Sequence, residues 1–160
     1  MFQIRAGYDE QVEIKTNVER ARAFFGDLRN FVELMPGVES IKAEAGGVVR
    51  WLIRAEVPVV GSMRQAFTVE QTDDRPDRIE WSPAAQERGN FLRYVAQFEQ
   101  RGARVLVKIV QRVELRRQHA RELHLLAGLV GETRLSTELQ KGISEMMRTF
   151  LQRARAKLEK

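Results

Sequence analysis

Cysteine is absent from the sequence, and histidine occurs only twice, as His119 and His124. Without cysteine the chain can form no disulfide, no thiolate metal site and no cysteine nucleophile. Two histidines leave little scope for a metal site built from imidazole rings. Phosphate-cradling glycine loops and metal-ligand spacings are also missing from the sequence. We therefore predict no resident metal and no cofactor.

Long hydrophobic runs are missing as well. No apolar run approaches the ~18 residues of a membrane-spanning helix, and the first ten residues, MFQIRAGYDE, lack the apolar stretch of a secretory signal. We therefore expect a cytoplasmic protein. Hydrophobic residues make up 43% and charged residues 31% of the 160 residues, a balance typical of globular chains. This length predicts one domain, residues 1–160, with a sizeable core.

The net charge of +5 is unevenly distributed. Residues 1–100 carry 13 basic and 16 acidic side chains, whereas residues 101–160 carry 14 and 6. The basic residues of the second part alternate with apolar ones, which predicts a solvated helical face. An anionic partner, either a peripheral membrane surface or a protein, is the second interpretation of this basic C-terminal face. Nucleic acid fits poorly because no aromatic side chains alternate with the basic ones.

Hydrophobic periodicity divides the chain into a strand, two short helices, six strands and a long helix. Alternation over residues 8–16 predicts the first strand. Thr16 and Glu19 have the spacing of a capping box, which predicts a helix start there, and the second short helix ends at Pro36-Gly37. Over residues 38–114 apolar residues recur at every second position between turn sequences, which predicts an antiparallel meander of six strands.

The C-terminal helix is predicted from an apolar stripe spaced mostly at three and four residues. Its members are Leu135, Leu139, Ile143, Met146, Met147, Phe150, Leu151, Ala154 and Leu158. The apolar face of a sheet must be covered, and this helix is the only predicted element large enough to cover it. We therefore predict an α+β fold in which a curved, seven-stranded antiparallel sheet, two short helices and the long helix enclose a cavity.

This order of elements resembles the START-like, or SRPBCC, superfamily, whose helix-grip fold also occurs in bacterial polyketide cyclases and coenzyme Q-binding proteins. Residues 23–41, AFFGDLRNFVELMPGVESI, are similar to the opening of the G-type subunits of carbon monoxide dehydrogenase. There a short helix pair ends in a Leu-Pro-Gly-Val type turn, which here is Met35-Pro36-Gly37-Val38. The resemblance implies a cavity for an apolar or amphipathic ligand, or cyclase-type chemistry.

The candidate ligand-binding residues are the inward-facing positions of the predicted strands and long helix. They are Trp51, Ile53, Met63, Gln65, Phe67, Trp81, Tyr94, Phe98, Ile143, Met146, Met147 and Phe150. Apart from the indole N–H groups, only Gln65 and Tyr94 bring polar atoms. These are either satisfied core groups or hydrogen-bond partners of a ligand's carbonyl or hydroxyl. No residue is predicted to be catalytic, because neither histidine falls on a sheet-facing position.

Three functions are compatible with this pattern. The first is binding or transport of a hydrophobic small molecule, such as a lipid, a quinone or a polyketide-like compound. The second is an enzyme of the polyketide cyclase or dehydratase type. The third is an accessory subunit that associates with a membrane or a protein. We favour the first, and expect a binding protein rather than an enzyme, because the inward positions are rich in apolar and poor in polar side chains.

Overall fold

The computed structural model describes residues 1–58 and 60–160. Within these residues the elements follow the predicted order, with one further short helix between the last strand and the long helix. The strands are β1 (Phe2–Ile14), β2 (Val38–Ala43), β3 (Val48–Val57), β4 (Gly61–Arg75), β5 (Arg78–Pro83), β6 (Asn90–Arg101) and β7 (Arg104–Arg117). The helices are α1 (Val18–Gly26), α2 (Arg29–Leu34), α3 (Ala127–Val130) and α4 (Glu132–Leu158).

The seven strands form one antiparallel sheet in the order β1-β7-β6-β5-β4-β3-β2. Strands β2 to β6 each pair with the next strand along the chain, because short turns connect them. β1 pairs with β7, with Phe2 opposite Arg117 and Ile14 opposite Val105, and forms one edge of the sheet. The predicted α+β architecture, the six-strand meander and the seven-stranded antiparallel sheet are thereby confirmed.

The first strand is longer than the sequence pattern predicts. β1 begins at Phe2 instead of Tyr8, because Phe2, Ile4 and Ala6 continue the alternation of buried side chains toward the start of the chain. The extension places β1 beside the whole of β7. It also brings Ile4 under the long helix, where it becomes part of the site described below.

The predicted capping box at Thr16 and Glu19 is wrong. Asn17 is the N-cap of α1, and its side-chain oxygen accepts a hydrogen bond from the Arg20 N–H at 2.8 Å. Asparagine is a strong N-cap because its short amide reaches the third helical N–H without leaving its extended backbone conformation. The Thr16 hydroxyl is instead buried without a hydrogen-bond partner among the described residues.

Helix α4 is joined to the free edge of β1 by a row of side-chain hydrogen bonds, which we call the α4–β1 seam. Three α4 side chains, four residues apart, accept from alternate backbone N–H groups of β1: Glu132 from Gln3 at 3.0 Å, Ser136 from Arg5 at 3.2 Å and Gln140 from Gly7 at 2.8 Å. Four helical residues advance about 6 Å and two strand residues about 6.8 Å, so the two spacings match over this stretch. The seam occupies edge amides that another strand would otherwise pair with.

The adjoining face of α4 carries its apolar stripe onto the inner face of the sheet. Its buried residues are Leu135, Ile143, Met146, Met147, Phe150, Leu151, Ala154 and Leu158. The outer face of this 27-residue helix is charged, and none of the helices in the described part of the chain has the length and apolar character needed to cross a bilayer. α4 therefore roofs the sheet as predicted.

Replacing Gln140 with alanine tests the seam. The Gly7 amide loses its hydrogen-bond acceptor, so we expect its hydrogen-exchange rate to rise about 2- to 10-fold, the range of a net intramolecular hydrogen bond. The Ile4 and Ala6 amides should not change, because they face β7 instead of α4. Residue-resolved hydrogen exchange by NMR measures all three. An unchanged rate at Gly7 would mean that the seam does not hold the edge in solution.

Candidate functional site

An apolar cavity lies between α4 and the inner face of the sheet. Its walls come from four strands and from the first half of α4. They consist of Ile4, Ile53, Ala55, Val57, Met63, Gln65, Phe67, Val113, Leu115, Leu135, Leu139, Ile143 and Met146. The cavity has a volume of about 40 Å³ for the centres of water-sized spheres. The empty volume between the walls is about 580 Å³ when the space that opens to solvent is included. The smaller volume corresponds to about three water molecules.

The other half of the interior is filled by an aromatic cluster. Phe31 lies at its centre, stacked on Phe150 with ring centroids 4.5 Å apart and in edge contact with Tyr94 at 5.1 Å and Trp51 at 5.2 Å. Phe25 extends the cluster, with its ring 6.0 Å from that of Phe150. Helices α1 and α2 supply Phe25 and Phe31, so these two helices fill one end of the space beneath α4 and leave the cavity at the other end.

The structure distributes the twelve predicted ligand-binding residues between these two halves. Six line the cavity: Ile53, Met63, Gln65, Phe67, Ile143 and Met146. Four belong to the aromatic cluster or contact it: Trp51, Tyr94, Phe98 and Phe150. Trp81 and Met147 are buried in the core outside the cavity wall. All twelve face the interior of the protein, and their contact with a ligand stays a prediction.

Seven further residues complete the cavity wall and were not among the predicted set. They are Ile4, Ala55, Val57, Val113, Leu115, Leu135 and Leu139. Each lies on an element whose inward face the sequence pattern did identify, except Ile4, which precedes the predicted first strand. The periodic spacing of aliphatic residues along the strands and α4 could have identified them. The predicted set favours bulky and aromatic side chains instead, and most of its aromatic members lie in the packed half of the interior.

A polar network closes the end of the cavity at Gln65. The Asn90 amide nitrogen donates to Gln65 Oε1 at 3.0 Å and to the carbonyl of Ala66 at 2.8 Å. Arg117 donates to Gln65 Oε1 at 3.0 Å and to Asn90 Oδ1 at 2.8 Å. Asn90 is only 9% exposed. The sequence pattern assigns Asn90 to a turn and Arg117 to the basic C-terminal face. It does not predict their contact with Gln65, because no local pattern links residues so far apart in the chain.

The early end of β5 explains why Asn90 is buried there. β5 pairs with β4 only as far as Pro83, opposite Val69. Beyond that point β4 has no neighbouring strand on this side until the start of β6, and the Asn90 side chain bonds to β4 directly. A side-chain amide offers one donor group and one acceptor, as the peptide group does. Asn90 therefore replaces part of the missing ladder.

The cavity wall at Ala55 and Met146 adjoins an outer groove of about 540 Å³ between α4 and the β2–β3 edge. Ala55 and Met146 line both the cavity and this groove. Gly37 packs against Met146: a Cβ atom there would lie 3.2 Å from Met146 Cε and 2.7 Å from the Arg54 carbonyl oxygen. Its φ of +89° also favours glycine. The Met35-Pro36-Gly37-Val38 turn thus shapes the wall at this point.

Tyr94 and the two histidines are poorly placed for proton transfer in the cavity. Tyr94 is fully enclosed, and burial raises the pKa of its hydroxyl well above the ordinary value. That hydroxyl donates to the Phe25 carbonyl at 3.4 Å. His119 is exposed and His124 half-buried, and neither lines the cavity. The described lining consists of hydrocarbon, thioether and one amide, and the described residues contain no group of three or more His, Asp or Glu side chains that could hold a metal ion.

No family model and no curated protein matches the sequence, but solved structures match the fold. The Zhui aromatase/cyclase from Streptomyces sp. R1128 is 12% identical, with a TM-score of 0.68 over 97% of this chain and 94% of its own. The protein TTHA0849 from Thermus thermophilus is 20% identical, with a TM-score of 0.56 over 96% and 97%. The chain has the helix-grip fold.

The di-domain ARO/CYC StfQ from the steffimycin biosynthetic pathway shares the helix-grip fold too. It is 13% identical, with a TM-score of 0.63 over 98% of this chain and 51% of its own, so the chain spans about half the length of StfQ. Identities this low show fold and not function. They confirm the START-like resemblance at the level of the fold, and the narrower resemblance to the G-type subunits of carbon monoxide dehydrogenase stays a prediction.

Replacing Phe150 with alanine tests whether the aromatic cluster is packed core. Phe150 is 0% exposed, and truncation of a fully buried phenylalanine lowers the free energy of unfolding by about 3–5 kcal/mol. Gln152→Ala, on the exposed face of the same helix, should stay within about 0.5 kcal/mol of the parent protein. Urea denaturation measures both. A loss below about 1 kcal/mol for Phe150→Ala would indicate a loosely filled interior that extends to α1 and α2.

Proposed function

We propose that the protein binds a neutral, apolar small molecule in the cavity beneath α4 and carries it without transforming it. The observation that carries this proposal is the composition of the wall, in which twelve of the thirteen lining side chains among the described residues are apolar. Binding of an apolar guest against this wall is favourable, because apolar surface of both the guest and the wall is removed from water. Each buried methylene of the guest contributes about 0.8 kcal/mol before the cost of association.

The outer groove supports a route into the cavity. Only Ala55 and Met146 are shared between the two spaces in the described residues, and the Met146 side chain is unbranched. Methionine changes rotamer at little cost and adapts its shape to apolar neighbours. Movement of this one side chain against Gly37 would join groove and cavity without any change in the backbone.

An aromatase or cyclase activity is the second candidate, favoured by the fold shared with Zhui and StfQ. Such chemistry needs an acid or base within hydrogen-bond reach of the reacting atoms. The groups described in this cavity are a poor match, since the one polar side chain among them is an amide. Turnover of a candidate substrate that is lost on changing Gln65 or Tyr94 would favour this candidate over simple binding.

Filling the cavity with Ala55→Leu tests the proposed function. The leucine side chain should occupy the space of the guest and weaken binding at least tenfold, while thermal stability stays equal or rises because a void is filled. Ala66→Leu is the matched control, since Ala66 lies between Gln65 and Phe67 on the opposite face of β4. Native mass spectrometry of each protein, purified from its own host, with extraction of bound compounds, provides the measurement.

Two results would overturn the proposal. One is that nothing co-purifies with the unaltered protein and a panel of lipids, quinones and small aromatic compounds produces no thermal shift. The other is that Ala55→Leu and Ala66→Leu retain the same amount of the same compound, which would place the guest outside the cavity.

Contact with an anionic membrane is the third candidate. Leu125 and Leu129, in the segment between β7 and α4, are 84% and 86% exposed, and residues 101–160, to which they belong, carry 14 basic and 6 acidic side chains. Exposed leucines on a basic part of the chain suit an interface with acidic headgroups. Sedimentation with anionic vesicles should be salt-sensitive and should fall in the variant Leu125→Asp/Leu129→Asp. Equal sedimentation of variant and parent would remove this candidate.

A further inference from the structure

A second depression, of about 400 Å³, lies on the outer face of the sheet, the side away from α4. Among the described residues, its charged lining is Arg5, Arg93, Arg112, Glu114 and Arg116. Successive side chains of a strand point to opposite faces, and these residues alternate with buried neighbours that face the interior. We call this feature the arginine depression. None of the residue patterns that predict the cavity accounts for it.

Two of these arginines lie directly opposite each other in the sheet. Arg93 on β6 pairs with Arg112 on β7, and like charges at opposite positions of neighbouring strands repel. The two side chains turn apart, because Arg93 bonds to Glu80 on β5 at 2.6 Å and Arg112 bonds to Asp9 on β1 at 2.9 Å. Gly7 lets Arg112 lie flat across β1, since a Cβ atom there would be 3.0 Å from its guanidinium nitrogen. The space between the two separated cations is open to an anion.

The other two arginines share one carboxylate. Arg5 donates to Glu114 at 2.8 Å and Arg116 donates to it at 2.7 Å, so this trio keeps one positive charge. The Arg116 guanidinium also lies 4.5 Å from the centre of the Phe91 ring, a cation–π contact that fixes its position. The side chains of Arg5 and Arg116 are 70% and 43% exposed. Their remaining N–H groups are therefore within reach of a molecule from solution.

The arginines around the depression outnumber the carboxylates that they bond to. Glu80 accepts from both Arg78 and Arg93, just as Glu114 accepts from two arginines. In the described part of the chain these ion pairs join six arginines to four carboxylates: Arg5, Arg75, Arg78, Arg93, Arg112, Arg116, Asp9, Asp73, Glu80 and Glu114. The group thus carries an excess of two positive charges. A guanidinium has five N–H groups, and the one hydrogen bond described for Arg93 goes to Glu80.

We propose that the arginine depression binds the phosphate group of a small, soluble phosphate monoester. Its charge of about −1.5 to −2 at neutral pH matches the excess of two positive charges. The three terminal oxygens of a phosphate point in different directions and can accept from guanidinium groups on β1, β6 and β7, whereas a carboxylate offers two oxygens in one plane. The organic part of the ester would lie on Pro83 and Phe91, which also line the depression. This site is separate from the cavity and does not rest on the proposed function.

The test compares phenyl phosphate with benzoate by calorimetry at about pH 8, where the phosphate is a dianion. We expect phenyl phosphate to bind at least about tenfold more tightly than benzoate, and Arg93→Gln/Arg116→Gln to weaken its binding at least about tenfold. Arg50→Gln/Arg64→Gln is the matched control, since it removes two exposed arginines from the outer face of β3 and β4. It should change the binding of phenyl phosphate by less than about twofold.

A measurement on the unaltered protein keeps the test valid if the double variant unfolds. Phenyl phosphate should shift the NMR signals of the Nε–H groups of Arg5 and Arg93 and leave that of Arg50 unchanged. The proposal is wrong if the unaltered protein binds no phenyl phosphate, if benzoate binds equally well, or if both double variants lose the same affinity. Arginine-dependent sedimentation with phosphatidic acid vesicles, without binding of phenyl phosphate, would overturn the soluble ligand and assign this surface to a membrane.

Discussion

The position of α4 over the sheet is the constraint on which the rest of the site depends. One face of the helix binds the β1 edge through Glu132, Ser136 and Gln140, and the adjacent face supplies Leu135 and Leu139 to the cavity wall. Neighbouring helical residues are about 100° apart, so the two sets can serve their roles only in a single rotation of the helix. A rotation by one residue would turn carboxylate and hydroxyl groups toward the apolar wall and remove the acceptors from the edge.

Two kinds of packing divide the space beneath α4. At the end covered by α1 and α2, planar aromatic rings meet edge to face and stack closely around Phe31, an arrangement that leaves few voids. At the other end the walls are mostly aliphatic, and among the described elements α4 alone covers the sheet. The cavity thus follows from the chain order: both short helices come from one connection, between β1 and β2, and can fill only one end.

The fold could be predicted from the sequence more fully than the site could. The meander and the roofing helix depend on local periodicity, which each segment carries in its own residues. The polar network depends on Gln65, Asn90 and Arg117, which lie 25, 27 and 52 residues apart and meet only because β5 stops early. An inward-facing aromatic residue such as Trp51 can either line a cavity or fill it. Which of the two applies depends on where Phe31 packs, and the residue pattern of a single strand does not contain this information.

The α4–β1 seam joins an early segment of the chain to a late one, with about 130 residues between the partners. During synthesis, β1 leaves the ribosome first, and the edge amides that later bond to α4 stay unpaired until α4 has emerged. The concave side of the sheet stays uncovered for the same interval, and contacts this distant in sequence form slowly. A hydrophobic molecule present at that time could be enclosed as the helix docks, so the nascent chain itself would provide a way of loading that needs no passage through the finished wall.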